Sequence, residues 1–154
     1  MPQHTSPALP AITLRQPWAS LVAHGIKNVE TRSWPPPYGT IGERIAIHAG
    51  RTVVLNPGHE AVEAIADIYG AGQWRRDIPR GAVVATAILA GAQKVSCLRD
   101  GIAYVEPSGQ AIPADPYGDF SPGRWLWLLT DIRAIEPVPA RGHQRLWRWT
   151  PPAP

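Results

Sequence analysis

Residues 81–90 read GAVVATAILA, a run with no charged side chain and one hydroxyl, Thr86. A strand with one face in water alternates apolar and polar residues. A β-rich run this continuous is covered on both faces and marks a central strand. RWLWLLTDI, residues 124–132, has the same character and carries Trp125 and Trp127. Parity commits one of these tryptophans to the core.

Outward from that pair, toward the N-terminus, AITLR at 11–15 alternates with period two, as a short half-buried strand does. Pro17 suits a first helical turn, where its missing N–H costs nothing. Trp18, Leu21, Val22 and Gly25 recur at helical spacing, which predicts a helix over 17–24 with Gly25 as its C-terminal cap. Residues 28–34 predict a strand with Val29, Thr31 and Ser33 on one side and Asn28, Glu30, Arg32 and Trp34 on the other. Three consecutive prolines at 35–37 stop its pairing. Another strand is expected over 43–49, with Ile45 and Ile47 inward and Arg44, Ala46 and His48 opposite. A second helix follows over 57–69, its stripe formed by Ala61, Ala64, Ile65 and Ile68.

The stretch 96–122 is long for a plain connection, and such segments carry structure or serve as lids. A small hairpin of 102–105 with 110–112 around 107–109, and a mobile lid, are both readings of it. Residues 137–154 form a basic tail in which Arg141, Arg145 and Arg148 alternate with Trp147 and Trp149, and 144–149 predicts a closing strand. Residues 1–10 read as a flexible leader, leaving one domain over 11–150. The order has no regular βαβ alternation. It predicts an α+β fold, a small mixed β-barrel with two flanking helices.

With 154 residues, 44% hydrophobic and 18% charged, the chain has the composition of one globular domain. No apolar run approaches the roughly 20 residues of a membrane span. The first ten residues lack both a basic and an apolar signal region, so a cytoplasmic protein without a membrane partner is expected. The single Cys97 excludes an internal disulfide and a cysteine-based zinc site. The histidines have no metal-ligand spacing, and no metal or cofactor is expected. GxxxxGK[ST], GxGxxG after a strand, HExxH and GxSxG are all missing. Fifteen basic residues stand against 12 acidic ones, for a net charge of +3 and a pI near 9.4. That balance favours a polyanionic partner, although a joint rise of Ala, Pro, Gly and Arg explains the arginine count equally well.

Chemistry concentrates in Gly25-Ile-Lys27-Asn-Val-Glu30-Thr-Arg32, where a helix end meets a strand. Glu30 and Arg32 share a face with Trp34. Inside a small barrel that face lines a polar pocket; on the outside it is an ordinary surface ion pair worth under about 1 kcal/mol. Arg15 and Gln16 precede a helix N-terminus, whose free N–H groups attract anions. His48, on a neighbouring strand, is either a pocket residue or a structural histidine. Arg124 suits phosphate. Trp34, beside the prolines, offers a stacking face, whereas Trp18 lies on an apolar helix face and reads as core.

GxKxxExR resembles the signature of the ASCH (activating-signal-cointegrator homology) domain family. Arg15-Gln-Pro-Trp18, Ile45-Ala-Ile-His48, Arg80-Gly-Ala-Val83 and Arg124-Trp125 followed by Glu136-Pro-Val-Pro139 fall in that family's order, so the likeness extends over residues 11–149. The pattern is especially similar to stand-alone ASCH proteins related to endothelial-overexpressed lipopolysaccharide-associated factor. The resemblance implies a PUA-like barrel that binds RNA or modified nucleosides beside the signature, with Arg15, Gln16, Lys27, Glu30, Arg32, Trp34, His48 and Arg124 as ligand residues. Some members act as hydrolases, which would make Lys27 and Glu30 catalytic in a ribonuclease or an N4-acetylcytidine amidohydrolase-like enzyme. The amidohydrolase branch uses Lys and, three residues on, Thr; here Glu30 stands in that place, and Thr31 lies on the other strand face. Because their strand face is polar, Lys27, Glu30 and Arg32 are expected to serve the ligand and to be dispensable for the fold.

Overall fold

In the computed structural model, which describes residues 5–154, the strand expected at 81–90 runs on as β4 (Ala82–Arg99). It pairs antiparallel along most of its length with β7 (Trp125–Pro139). Both strands are longer than their apolar runs because the ladder is bulged. Its register shifts between Val83 and Ala85, Thr86 and Ile88, and Leu89 and Gly91. Gly91 interrupts the apolar pattern without ending the strand, as glycine does at bulges. Pro137 and Pro139 are tolerated in β7 because its second edge is paired only at residues 125–128, against β2 (Val29–Arg32).

The other elements are β1 (Leu9–Gln16), α1 (Trp18–Ala23), β3 (Arg44–Val53), α2 (His59–Tyr69), α3 (Trp74–Asp77), β5 (Ile102–Glu106), β6 (Ala111–Pro113) and β8 (Leu146–Trp149). The sheet runs β2-β7-β4-β3-β1-β8, and β5 pairs the far end of β4 and then β6. Among the described residues only β1 with β3 is parallel; the remaining ladders are antiparallel. The sheet curls into an open half-barrel, with β2 and β8 as its unjoined edges. Its concave side holds Ile12, Leu14, Val22, Ile45, Ile47, Leu89 and Trp127. A second cluster of Val29, Val95, Val105, Phe120 and Leu126 fills the space under the β5–β6 hairpin.

The expected hairpin is present, and it removes the lid. Residues 96–99 belong to β4, 102–106 and 111–113 form β5 and β6, and only 114–124 remains a loop. The strand expected over 28–34 keeps Val29–Arg32, since its partner begins at Trp125, directly opposite Arg32. Pro17, expected in the first turn, stands at the N-cap position just before the first helix, which begins at Trp18. The short α3 had no periodic signal; Trp74 and Ile78 pack it against Leu21, Ala61 and Ile65. Of the expected leader, residues 1–4 lie outside the described residues. Leu9 and Pro10 already pair with Trp149 and Arg148 of β8. Among the described residues no helix is long and apolar enough to cross a membrane.

Candidate functional site

Strand β2 carries the signature onto the barrel wall. Glu30 lies opposite Trp127 and Arg32 opposite Trp125, while Val29 and Thr31 lie opposite Leu128 and Leu126. One parity of β2 therefore faces the tryptophan-lined interior, and the other faces the cluster under the hairpin.

A cavity of about 530 Å³ opens here. Its walls are Thr13–Arg15 of β1, Trp18, residues 30–34, Pro57, residues 116–119 and Arg124. Four expected ligand residues besides Glu30 meet in it: Arg15, Arg32, Trp34 and Arg124. Three arginines against the carboxylates of Glu30 and Asp119 leave a surplus positive charge in the lining.

The guanidinium groups are held but not fully used. Arg32 Nη2 donates to the Thr13 carbonyl at 2.9 Å, which ties edge strand β2 to β1, and lies 3.8 Å from Glu30 Oε2. Arg124 Nη2 donates to the Thr31 carbonyl at 3.1 Å, and its Nε lies 3.6 Å from Asp119 Oδ2. Arg32 Nε and Arg124 Nε are buried without a hydrogen-bond acceptor. Burial pulls the Arg32 pKa below the ordinary arginine value; Glu30 opposes this, and Arg124 and Arg15 add to it. The three cations thus crowd one another around one space.

Lys27 occupies a different place from the one its sequence position implies. It is 1% exposed, and its ammonium donates to the carbonyls of Val29 at 2.7 Å and Tyr117 at 3.0 Å. Glu30 Oε1 lies 3.8 Å away, and the Trp18 ring lies beneath at 5.9 Å. Lys27 is not part of the cavity wall: it stands behind Glu30 and pins loop 114–124 to β2. The polar face expected to be dispensable for the fold therefore contains a buried structural cation. Glu30 Oε1 also accepts from the Thr31 N–H at 2.8 Å. Asp115 lies near this pair, its carboxyl pushed up by burial and pulled down by the Tyr117 N–H and Lys27.

Gln16 and His48 stand apart from the cavity. Gln16 is fully buried, donates from Nε2 to Ser20 Oγ and the Pro79 carbonyl, and accepts from the Ser20 N–H. It caps the start of α1 from within the core, so no ligand reaches it. In β3, Ile45, Ile47 and Ala49 enter the central core, while Ala46 packs with Ala11, Val83 and Trp149 on the opposite side. His48 shares that opposite face. Its Nε2 meets the Ala140 carbonyl at 2.7 Å, and its Nδ1 meets Thr13 Oγ1 at 3.1 Å. Trp147 Nε1 donates to the same hydroxyl at 3.2 Å. A proton on Nε2 satisfies all of these contacts at once.

Trp34 lies edge-on to Trp127, with centroids 4.9 Å apart at 85°, and the Arg145 guanidinium sits 5.2 Å from its ring. Trp18, expected as core filling, is only partly buried and does both jobs, packing on the central core and lining the cavity.

Thr13, Tyr117, Gly118 and Asp119 escaped the sequence reading. Asp119 N–H donates to Thr31 Oγ1 at 3.0 Å, and a Cβ on Gly118 would lie 2.9 Å from Thr31 Cγ2. Thr31 thus anchors the loop that forms the second wall. The turn composition Asp115-Pro-Tyr-Gly-Asp119 marked a loop in the sequence, but nothing local showed that it folds back onto β2. Among the described residues no group of three or more His, Cys, Asp or Glu side chains converges as a metal site would.

The ASCH domain model matches residues 12–137. Among solved structures, the chain is similar to an ASCH protein from Zymomonas mobilis, at 20% identity and TM-score 0.47 over 84% of this chain and 72% of that one. Two mutant forms of that protein also match, each at 20% identity over 84% of this chain, with TM-scores of 0.46 and 0.47 and 74% and 72% of their own lengths covered. No curated protein matches the chain. Since the matched span takes in most of β1, the whole signature and nearly all of β7, the chain belongs to the ASCH domain family.

Proposed function

We propose that this protein binds RNA or a nucleoside-like ligand in the cavity between β1, β2 and loop 114–124. ASCH domains are a PUA-like family proposed to bind RNA. The observation that carries the reading is the convergence of Arg15, Arg32 and Arg124, with their surplus positive charge, beside a tryptophan-bearing wall. Phosphate and base carbonyl oxygens both suit a guanidinium fork. Trp34 and Trp18 supply ring surface, and base stacking on an aromatic side chain contributes about 1–3 kcal/mol. Glu30, held by the Thr31 N–H, keeps lone pairs for an exocyclic amine. Such a ligand needs no membrane partner and no cofactor, and it fits a cytoplasmic setting.

The alternative is a hydrolase, ribonuclease or N4-acetylcytidine amidohydrolase-like, with Lys27 and Glu30 transferring protons. Glu30 does line the cavity. Lys27, however, spends its ammonium on two carbonyls behind it, which favours binding over catalysis. Fluorescence anisotropy with a labelled single-stranded RNA tests the reading. Arg32→Gln and Trp34→Ala should each weaken binding by roughly tenfold, the effect of about 1.4 kcal/mol. Unchanged affinity in both variants would overturn it. RNA cleavage or nucleoside turnover that falls roughly 100-fold in Glu30→Gln would instead make the protein an enzyme.

A further inference from the structure

A second cleft, of about 930 Å³, lies on the opposite side of Thr13. Its walls include His48, Arg51, Arg141, His143 and the glycines at 50, 81 and 142. Among the described residues no carboxylate lines it. Thr13 is common to both cavities: its carbonyl accepts from Arg32 on one side, and its hydroxyl meets His48 on the other. Arg145 lies in the chain between this cleft and β8 and rests on Trp34 of the first cavity. Among the described residues, Arg51, Arg141, Arg145 and Arg148 have no carboxylate within 4.0 Å. Arg51 and Arg141 are exposed.

The cleft is also built. Gly142 is pressed so close to His48 that a Cβ there would lie 2.6 Å from its ring and 2.8 Å from Thr13 Oγ1. His48 clamps the same segment through the Ala140 carbonyl, and Trp147 packs edge-on to both His48 and His143. Segment 140–143 is therefore held in place, with its basic side chains turned to solvent. Cations held without counter-charges in a shaped cleft fit a polyanion, and a polyanion that also enters the first cavity must pass Thr13.

We infer that the second cleft carries the phosphate backbone of a single-stranded RNA whose neighbouring nucleotide occupies the first cavity. The occupant is then an oligonucleotide, not a free nucleoside. This inference rests on the proposed function and extends it beyond one nucleotide.

The test compares a nucleoside monophosphate with a single-stranded RNA of about eight nucleotides, within the usual span of such sites. The variant is Arg51→Gln/Arg141→Gln; neither residue lines the first cavity or makes an ion pair, so the fold is retained. The double variant should bind the octamer roughly tenfold more weakly, and its salt slope should fall by about 1.4, or about 0.7 for each lost phosphate contact. Monophosphate binding should stay at the wild-type level. An unchanged octamer affinity and slope would overturn the inference and leave the first cavity's reading intact. Octamer binding unaffected by both Arg32→Gln and Trp34→Ala would instead defeat the reading beneath it. Binding of polyglutamate that depends on Arg51 and Arg141, with RNA unaffected, would assign the cleft to an acidic peptide and also overturn the inference.

Discussion

Lys27 and Glu30 are adjacent in the signature, yet the fold uses them differently. Glu30 faces the cavity, whereas Lys27 is sealed behind it between two carbonyls. Removing the ammonium strips two buried carbonyls, those of Val29 and Tyr117, of their donor and leaves Glu30 with Arg32 alone. Lys27→Ala should therefore destabilise the protein by about 3 kcal/mol or more, read from the urea midpoint. A change within about 0.5 kcal/mol, typical of surface substitutions, would return Lys27 to a ligand role. The sequence showed a polar strand face but not that loop 114–124 would cover it, because that contact joins residues ninety positions apart. His48 is the second case. Burial holds its pKa below the usual histidine value, partly offset by the Ala140 carbonyl and reinforced by His143. The unfolded chain then binds the proton first as pH falls, near 6.5. The His48 contribution is complete above that pH and is lost as pH drops toward the lowered folded value. Denaturation at pH 7.5 and 5.5 should show less acid sensitivity in His48→Gln than in the wild type; equal sensitivity would contradict this.

Among the elements, loop 114–124 is the one whose position matters most for the site. It reaches β2 through Lys27, through the Asp119 N–H bond to Thr31, and through Gly118 packed on Thr31. A methyl at 118 has to displace the Thr31 side chain or the loop backbone, a kind of overpacking that costs about 1–3 kcal/mol. Gly118→Ala should lower the melting temperature and weaken RNA binding together, because the displaced loop carries one wall of the cavity. A variant with wild-type melting and affinity would show that the loop does not form that wall. The strand cores were readable because an apolar run covered on both faces has few alternatives. Their ends were not. Gly91 and the polar residues after it look like the end of β4, and only the facing β7 shows that the ladder continues through a bulge to Arg99. The closing strand expected at 144–149 is present as β8, but the start of the same tail becomes the last part of β7, because β4 offers it an open edge.

For the whole molecule, the open half-barrel leaves β2 and β8 unjoined, and the polar chemistry gathers along that seam. Arg32 spans from β2 to the β1 backbone, Arg145 rests on Trp34, and cavities lie on both sides of Thr13. A closed ladder would have satisfied those edges and filled that space. Net charge and arginine count fit a polyanionic partner and compositional drift equally well; the place proposed for such a partner follows from curvature, which no local pattern encodes. The claim that the first cavity is a nucleic-acid site makes a direct statement about the guanidinium groups of Arg32 and Arg124, which line it. Their ¹H–¹⁵N resonances, followed while a short single-stranded RNA is titrated in, test it most directly. The Nε–H signals of Arg32 and Arg124 should both move strongly as a ligand oxygen meets their guanidinium groups, while that of exposed Arg133, already paired with Asp131, should stay in place. Saturating RNA that leaves the Arg32 and Arg124 signals unmoved would contradict the account.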